Sequence, residues 1–213
     1  MNRRLAIKQL AALAGLSAIG LPAMAQGEGT FSPVNPAQPT SDAARIEVIE
    51  FFHYGCPHCR DFDPLLEEWR AKQAEDVNFV RVPAIWGNAK LQALARFYYA
   101  MEAAGVVDTL HPKVFAAFQD QKVPLDTEEG VADWVASMGV DAKRVLDAYK
   151  SFGVQGKLQR ADQLGRNYRI RGVPTLAIDG QYLTSASMAG SHEAALKVAG
   201  ELIAKLRQAK AKA

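Results

Sequence analysis

The hydrophobic pattern of the chain changes period near its first quarter. RIEVIEFF, residues 45–52, is apolar at most positions and rich in β-branched and aromatic residues, so it predicts a buried strand. One residue breaks the run, Glu50. In CRDFDPLLEEWRAKQA the spacing becomes helical, with Phe62, Leu65, Leu66 and Trp69 on one face. Pro64 should kink this helix, because its ring removes a backbone donor and crowds the preceding turn. VNFVRVP, 77–83, returns to strand character. Strand, helix and strand within about forty residues make a βαβ unit, which requires a parallel pair and a right-handed crossover.

From Asn88 to about Gly165 the pattern is helical throughout. Leu91, Leu94, Ala95 and Tyr98 mark one stripe, and Val114, Phe115 and Phe118 a second. Val131, Trp134, Val135 and Met138 mark a third, and Val145, Leu146 and Tyr149 a fourth. Asp126 or Thr127, and Asp141 after Gly139, supply start signals between them. LQRADQLGRNY leads out of the block as a further helix. VPTLAID, 173–179, and QYLTSA read as two short strands around a Gly180 turn, and HEAALKVAGELIAKLRQAKAK as a closing helix. The expectation is an α/β fold with a mixed sheet, carried by residues 45–87 and 166–213 and interrupted by an all-helical insertion, 88–165.

The start of the chain is different. Residues 1–25 run from a basic head with Arg3, Arg4 and Lys8, through apolar AALAGLSAIGLPA, to AMA before Gln26. That order describes a secretory signal peptide cleaved after Ala25. Its apolar middle is short and rich in Gly and Ala for a membrane span, which makes an uncleaved anchor the lesser alternative. The arginine pair only partly fits a twin-arginine leader, which points to the general secretory route. Residues 26–44, rich in Gly, Pro and Ser, read as an extended leader into the fold. Losing the three leader cations takes the formal charge from +2 to −1, and no basic patch invites nucleic acid. With 213 residues, 49% of them hydrophobic, the chain has ample material for a packed core.

Both cysteines of the chain, Cys56 and Cys59, fall in the CPHC step that joins the first strand to its helix. The thiolate is the reactive form of cysteine, and a helix start stabilises it through free amides and the positive end of the dipole. Cys56 is thereby expected to be the attacking sulfur. Cys59, about one turn on and turned inward, is expected to resolve the mixed disulfide. Pro57 suits an early helical position, and a protonated His58 would further favour the Cys56 thiolate. Other readings stay open. A zinc site would have to recruit His53, His111 or His192, and a purely structural disulfide would close too short a loop to constrain the unfolded chain much. Covalent haem attachment requires CxxCH, and position 60 is Arg.

IEFFHYGCPHC, the amphipathic helix after it, the helical insertion and the late RGVPTLAIDG together resemble the thioredoxin superfamily, and within it the DsbA family of periplasmic thiol oxidases. The resemblance covers nearly all of the chain after the leader. CPHC is that family's dipeptide pattern, where thioredoxins carry CGPC. The resemblance implies a thioredoxin-like fold, an acidic attacking thiol and a strongly oxidising disulfide. It also implies that Val173 and Pro174 face the CPHC step across a cis peptide bond, the Val173 backbone pairing with an extended substrate. Glu50 matches the family's buried acid near the resolving cysteine and would relay a proton to or from Cys59; the alternative is a strand-edge carboxylate in water. Arg81 is its expected partner on the neighbouring strand. His53 and Tyr54 are expected on the rim ahead of Cys56, touching substrate or lying in a solvated loop. His111 reads as structural, His192 as a surface residue beside the cap Ser191, and Trp69, Trp86 and Trp134 as packing residues.

The expected function is that of a thiol:disulfide oxidoreductase exported to the periplasm, which gives its Cys56–Cys59 disulfide to reduced exported proteins and uses no other cofactor and no metal. A DsbB-like membrane quinone reductase would reoxidise it, and the chain would act as a monomer. A disulfide isomerase or reductase on the same scaffold is the enzymatic alternative, although residues 26–44 are too short for the separate dimerisation domain such isomerases carry. A metal-binding or chaperone module is the non-catalytic one.

Overall fold

The sheet is built around the strand that contains Glu50. The computed structural model describes residues 29–211, so the leader read at 1–25 lies outside the described residues. Strand β1 (Ser32–Pro33) precedes β2 (Ile46–Phe52), α1 (Pro57–Arg70) and β3 (Val77–Pro83). Five helices follow: α2 (Ala89–Ala103), α3 (Val107–Gln119), α4 (Glu128–Ser137), α5 (Ala142–Tyr149) and α6 (Phe152–Asn167). The chain closes with β4 (Thr175–Ile178), β5 (Tyr182–Thr184), a short α7 (Ala186–Ala189) and α8 (His192–Lys210). The sheet order is β1-β5-β4-β2-β3. β2 pairs with β3 in parallel and with β4 antiparallel, so both its edges are occupied and all seven of its residues are buried. That is why its sequence is nearly continuous rather than alternating.

Two apolar clusters lie on either side of β2. Ile46 and Val48 join Phe62 and Leu66 of α1 and Leu202 and Ile203 of α8. Ile49, Phe51 and Phe52 join the helical block through Leu94, Phe97 and Phe115 among others. Glu50 lies between Val48 and Phe52 on one face, at the seam where one cluster gives way to the other.

Local signals account for most boundaries. Asn88, Thr127, Asp141 and Ser151 each cap a helix of the block with a side-chain oxygen, Thr127 taking the position that Asp126 shared with it as a possibility. Helix α3 starts without a side-chain cap, with only Asp108 in its first turn to favour the dipole. Pro64 sits inside α1 on its exposed side, and the helix runs on through it. Asp179 and Gly180 have φ of 49° and 69°, and Gln181 N–H donates to the Ile178 carbonyl at 2.9 Å, a two-residue turn whose twist suits the hairpin. A side chain at Gly180 would also strike the Gln38 carbonyl, which lies 2.0 Å from where its Cβ would be. The segment before β2 thus crosses over this turn, and its residues Ser32 and Pro33 add an antiparallel strand to β5 that the composition of 26–44 did not announce.

Candidate active site

Cys56 is the N-cap of α1, in extended backbone conformation, with Pro57 at the first helical position. Its sulfur accepts from the Cys59 amide at 3.2 Å. On the other side Sγ lies 3.4 Å from the carbonyl oxygen of Val173, whose bond to Pro174 is cis. The two ends of the sequence motif, 117 residues apart, therefore meet at one sulfur. Cys56 retains 7% of its surface and Cys59 none, so only Cys56 can be met by a partner.

The two thiols move in opposite directions. Cys56 is lowered to about 6, chiefly by the hydrogen bond from the Cys59 thiol, then by the amides of Cys59 and His58 and the His58 charge, against a burial that raises it. The largest contribution is therefore the neighbouring thiol, with the helix amides behind it. Cys59 is pushed far up by burial, and the negative charge expected at Cys56 reinforces that. His58 and Pro57 are exposed beside the sulfur.

Beneath the sulfurs is a buried charge cluster. Glu50 is 1% exposed, and on β3 Arg81 stands directly opposite it in the register. Arg81 Nε donates to Glu50 at 2.9 Å, and its Nη2 donates to Asp63 at 3.1 Å and to Glu67. The strand-edge alternative for Glu50 is ruled out by this placement. Burial raises the Glu50 carboxyl to about 7, with Asp63 and Glu67 adding to the effect and Arg81 opposing it. Its charge in turn helps to raise Cys59.

Three expectations change at this point. Tyr54, expected on the rim, is 1% exposed, and its hydroxyl lies 2.6 Å from His111 Nδ1; apolar contacts with Phe52 and Phe115 draw it inward, out of a substrate's reach. His192, expected at the surface, is half-buried with its ring 5.1 Å from Phe62 and 6.4 Å from His58, because Ser191 caps α8 against the start of α1. Trp86, expected as core or interface packing, is not in the core: it is 43% exposed and donates its Nε1 hydrogen to the Ile170 carbonyl at 2.9 Å. His53 is half-buried against Trp86 and its proton affinity is lowered by burial. His111 is indeed structural in the sense of being buried and hydrogen-bonded, on both ring nitrogens.

Asp63, Glu67 and Gln119 were not singled out from the sequence. Asp63 carries a signal in hindsight: Cys59, Asp63 and Glu67 are spaced by four along one face of α1, so two acids interrupt the face that follows the cysteine inward. Gln119 carries none; its amide, reaching from α3, donates to the carbonyls of Tyr54 at 2.7 Å and of Cys56 at 3.0 Å.

A groove of about 640 Å³ opens beside the sulfur, lined by His58, Val173, Pro174 and His192 and by Arg169 and Arg171. Among the described residues, no carboxylate lines it. Among the described residues no group of three or more His, Cys, Asp and Glu is arranged to hold a metal ion.

A sheet with a CxxC step opening its first helix, faced by a cis-proline loop, defines a thioredoxin-like thiol:disulfide oxidoreductase. Residues 66–196 match the family model described as a DSBA-like thioredoxin domain, a stretch that excludes both cysteines and so speaks independently of them. The chain is 38% identical over 199 residues to the thiol:disulfide interchange protein DsbA of Bordetella parapertussis, covering 93% of this chain and 94% of that one. The crystal structure of Pseudomonas aeruginosa DsbA superposes with a TM-score of 0.82 at 36% identity, over 85% of this chain and 94% of that one. That of the oxidoreductase DsbA from Xylella fastidiosa gives 0.77 at 30%, over 84% and 96%. The chain belongs to the DsbA family, and it is an enzyme of thiol:disulfide exchange.

Proposed function

We propose that the protein is an exported thiol oxidase that gives a Cys56–Cys59 disulfide to reduced client proteins in the periplasm. The observation that carries this is the asymmetry of the pair: Cys56 caps α1, its sulfur on the Cys59 amide, and keeps 7% of its surface, whereas Cys59 keeps none, a placement that lowers the first thiol and pushes the second up. A stabilised Cys56 thiolate stabilises the reduced form of the pair, so the disulfide gives up its place readily. The basic, apolar and Ala-x-Ala order of residues 1–25 supports export, and an oxidising compartment is where such a disulfide would be used.

In the first step a client thiolate attacks Cys56 Sγ. The Cys56–Cys59 bond breaks, Cys59 takes the electron pair, and the Glu50 carboxyl supplies the proton that the buried sulfur needs. A second client thiolate then attacks the client sulfur of the mixed disulfide, and Cys56 leaves as the thiolate held by the helix start. The client dithiol has become a disulfide and the enzyme pair has been reduced. The pair is its own redox group, with no further cofactor. The protein acts as a monomer, and a membrane quinone reductase of the DsbB type takes the two electrons, Glu50 now accepting the Cys59 proton. Val173, with its carbonyl at the sulfur, and Pro174 present the backbone edge along which an extended client lies, His58 and His53 flank it, and the groove beyond them receives its flanking residues.

Refolding a reduced protein that needs several disulfides, with stoichiometric oxidised enzyme, tests this. Rapid disulfide formation that disappears in Cys56→Ser is expected. An enzyme that leaves the reduced client untouched and only rearranges a scrambled one would overturn the reading in favour of an isomerase.

A further inference from the structure

We propose that His111, contributed by the helical block, is a positioning residue for proton transfer at Cys59: it holds Asp63 ionised and so leaves Glu50 as the carboxyl that carries the exchangeable proton. The inference rests on the proton-relay reading of Glu50 given above.

Charge is mismatched beneath the sulfurs. One guanidinium, Arg81, faces three carboxyl groups, Glu50, Asp63 and Glu67. With Arg70 also paired to Glu67 at 2.9 Å, one negative charge is left unneutralised in an enclosed place, which is costly, so the set favours holding a proton. Hydrogen bonds decide where it sits. Glu67 keeps 34% of its side-chain surface and is solvated. Asp63 Oδ1 faces two donors, Arg81 Nη2 at 3.1 Å and His111 Nε2 at 3.1 Å. Glu50 receives only Arg81 Nε. The carboxyl with fewer donors takes the proton.

The tautomer of His111 follows from its other neighbour. The Tyr54 hydroxyl, buried and kept protonated by that burial, has its proton to give and His111 Nδ1 at 2.6 Å to accept it. The ring then carries its own proton on Nε2, aimed at Asp63. Burial lowers the proton affinity of His111, which favours this neutral form, while burial of Asp63 is outweighed by the His111 hydrogen bond and the Arg81 charge. Around the ring stand Phe52, Tyr54, Tyr98 and Phe115, with centroids between 5.2 and 5.7 Å away. The charged and titratable groups that act on Glu50 and His111 are therefore Arg81 from β3, Cys59, Asp63 and Glu67 from α1, Tyr54 ahead of α1, and Tyr98 from α2; the strand partner from β4, Leu176, adds none.

His111→Phe keeps an aromatic ring in this cage and removes both nitrogens. Asp63 then loses a donor and competes with Glu50 for the shared proton. The Glu50 midpoint, followed by isotope-edited carboxyl NMR, is expected to move to lower pH. The rate at which a small thiol reduces the enzyme is expected to fall about tenfold relative to the parent near neutral pH and to recover as the pH is lowered. Taking the ratio to the parent at each pH cancels the ionisation of the attacking thiol. His111→Gln, which restores an amide donor toward Asp63, should bring the midpoint back. An unmoved Glu50 midpoint in folded His111→Phe overturns the proposal. If that variant does not fold, the parent decides: nitrogen NMR showing an imidazolium, or a proton on Nδ1, at neutral pH overturns it equally. Glu50→Gln separates the two readings, since an unchanged rate there removes the relay while leaving the His111–Asp63 assignment to the carboxyl titration.

Discussion

The tip of α1 and the buried face beneath it are a few ångströms of helix apart and solve opposite problems. At the tip, Cys56 meets amides, a thiol donor and an open groove, all of which favour a negative sulfur. Beneath it, Cys59, Glu50, Asp63 and Arg81 are shut away from water, where each charge needs a partner. The tip can be built from one helix, its first amides and the Cys59 thiol. The buried face needs side chains from two strands, two helices and the connection between them. The difference teaches that nucleophilicity here is a local property, whereas control of the resolving thiol's proton is a tertiary one.

The sharpest way to break this comparison is to remove each sulfur. Cys56→Ser should abolish disulfide transfer, while Cys59→Ser, offered a client disulfide, should attack it through Cys56, release one client thiolate and remain as a mixed disulfide, visible as a stable adduct on non-reducing gels. If the two variants behaved alike, the division of labour would be lost. Next in size is Arg81→Met, which leaves Glu50 and Asp63 without their cation and should lose about 3–5 kcal/mol in urea unfolding, because removing one partner strands the others. Glu50→Gln keeps shape and removes charge; the fold should persist, and reduction of the disulfide by a client thiol should slow by about a hundredfold, the Cys59 proton being lost as a transferable one.

The pH dependence of the reduced form tests the tip alone. Cys56 has its folded pKa lowered, so its thiolate stabilises the reduced protein fully above the ordinary thiol pKa of about 8.5 and the gain disappears as the pH falls through about 6. Thermal unfolding of reduced protein should show that loss, and Cys56→Ser should not. The smallest effect concerns the groove. With Arg169, Arg171, His58 and His192 in its lining and no carboxylate among the described residues there, client peptides flanked by acidic residues should be oxidised a few-fold faster than basic ones, the preference fading with added salt and with Arg171→Glu.

Much of this is legible in the order of residues alone. The change from strand to helical period places β2, α1 and β3, the small side-chain caps place most helices of the block, and Gly180 places the hairpin, because each depends on residues within a turn or two of one another. The roles proposed for the two cysteines rest on a helix start as well. Tyr54 shows where that logic stops. Its two neighbours in sequence are a half-buried histidine and an exposed glycine, and nothing local says that its ring is held inside by Phe52 and Phe115 or that a histidine 57 residues away waits for its hydroxyl. Glu50 is intermediate: its anomaly in an apolar strand is plain, but only the register that sets it against Arg81 turns the anomaly into a pair.

The sequence by itself determined the redox pair, its position at a helix start and the alternation of sheet and helical segments, since backbone geometry and short-range spacing are written in consecutive residues. The tertiary structure alone decided which acids share one arginine, which histidine reaches them and which loop faces the sulfur. Those outcomes depend on distances between segments far apart in the chain, and a buried charge has no defined proton affinity until its neighbours are in place.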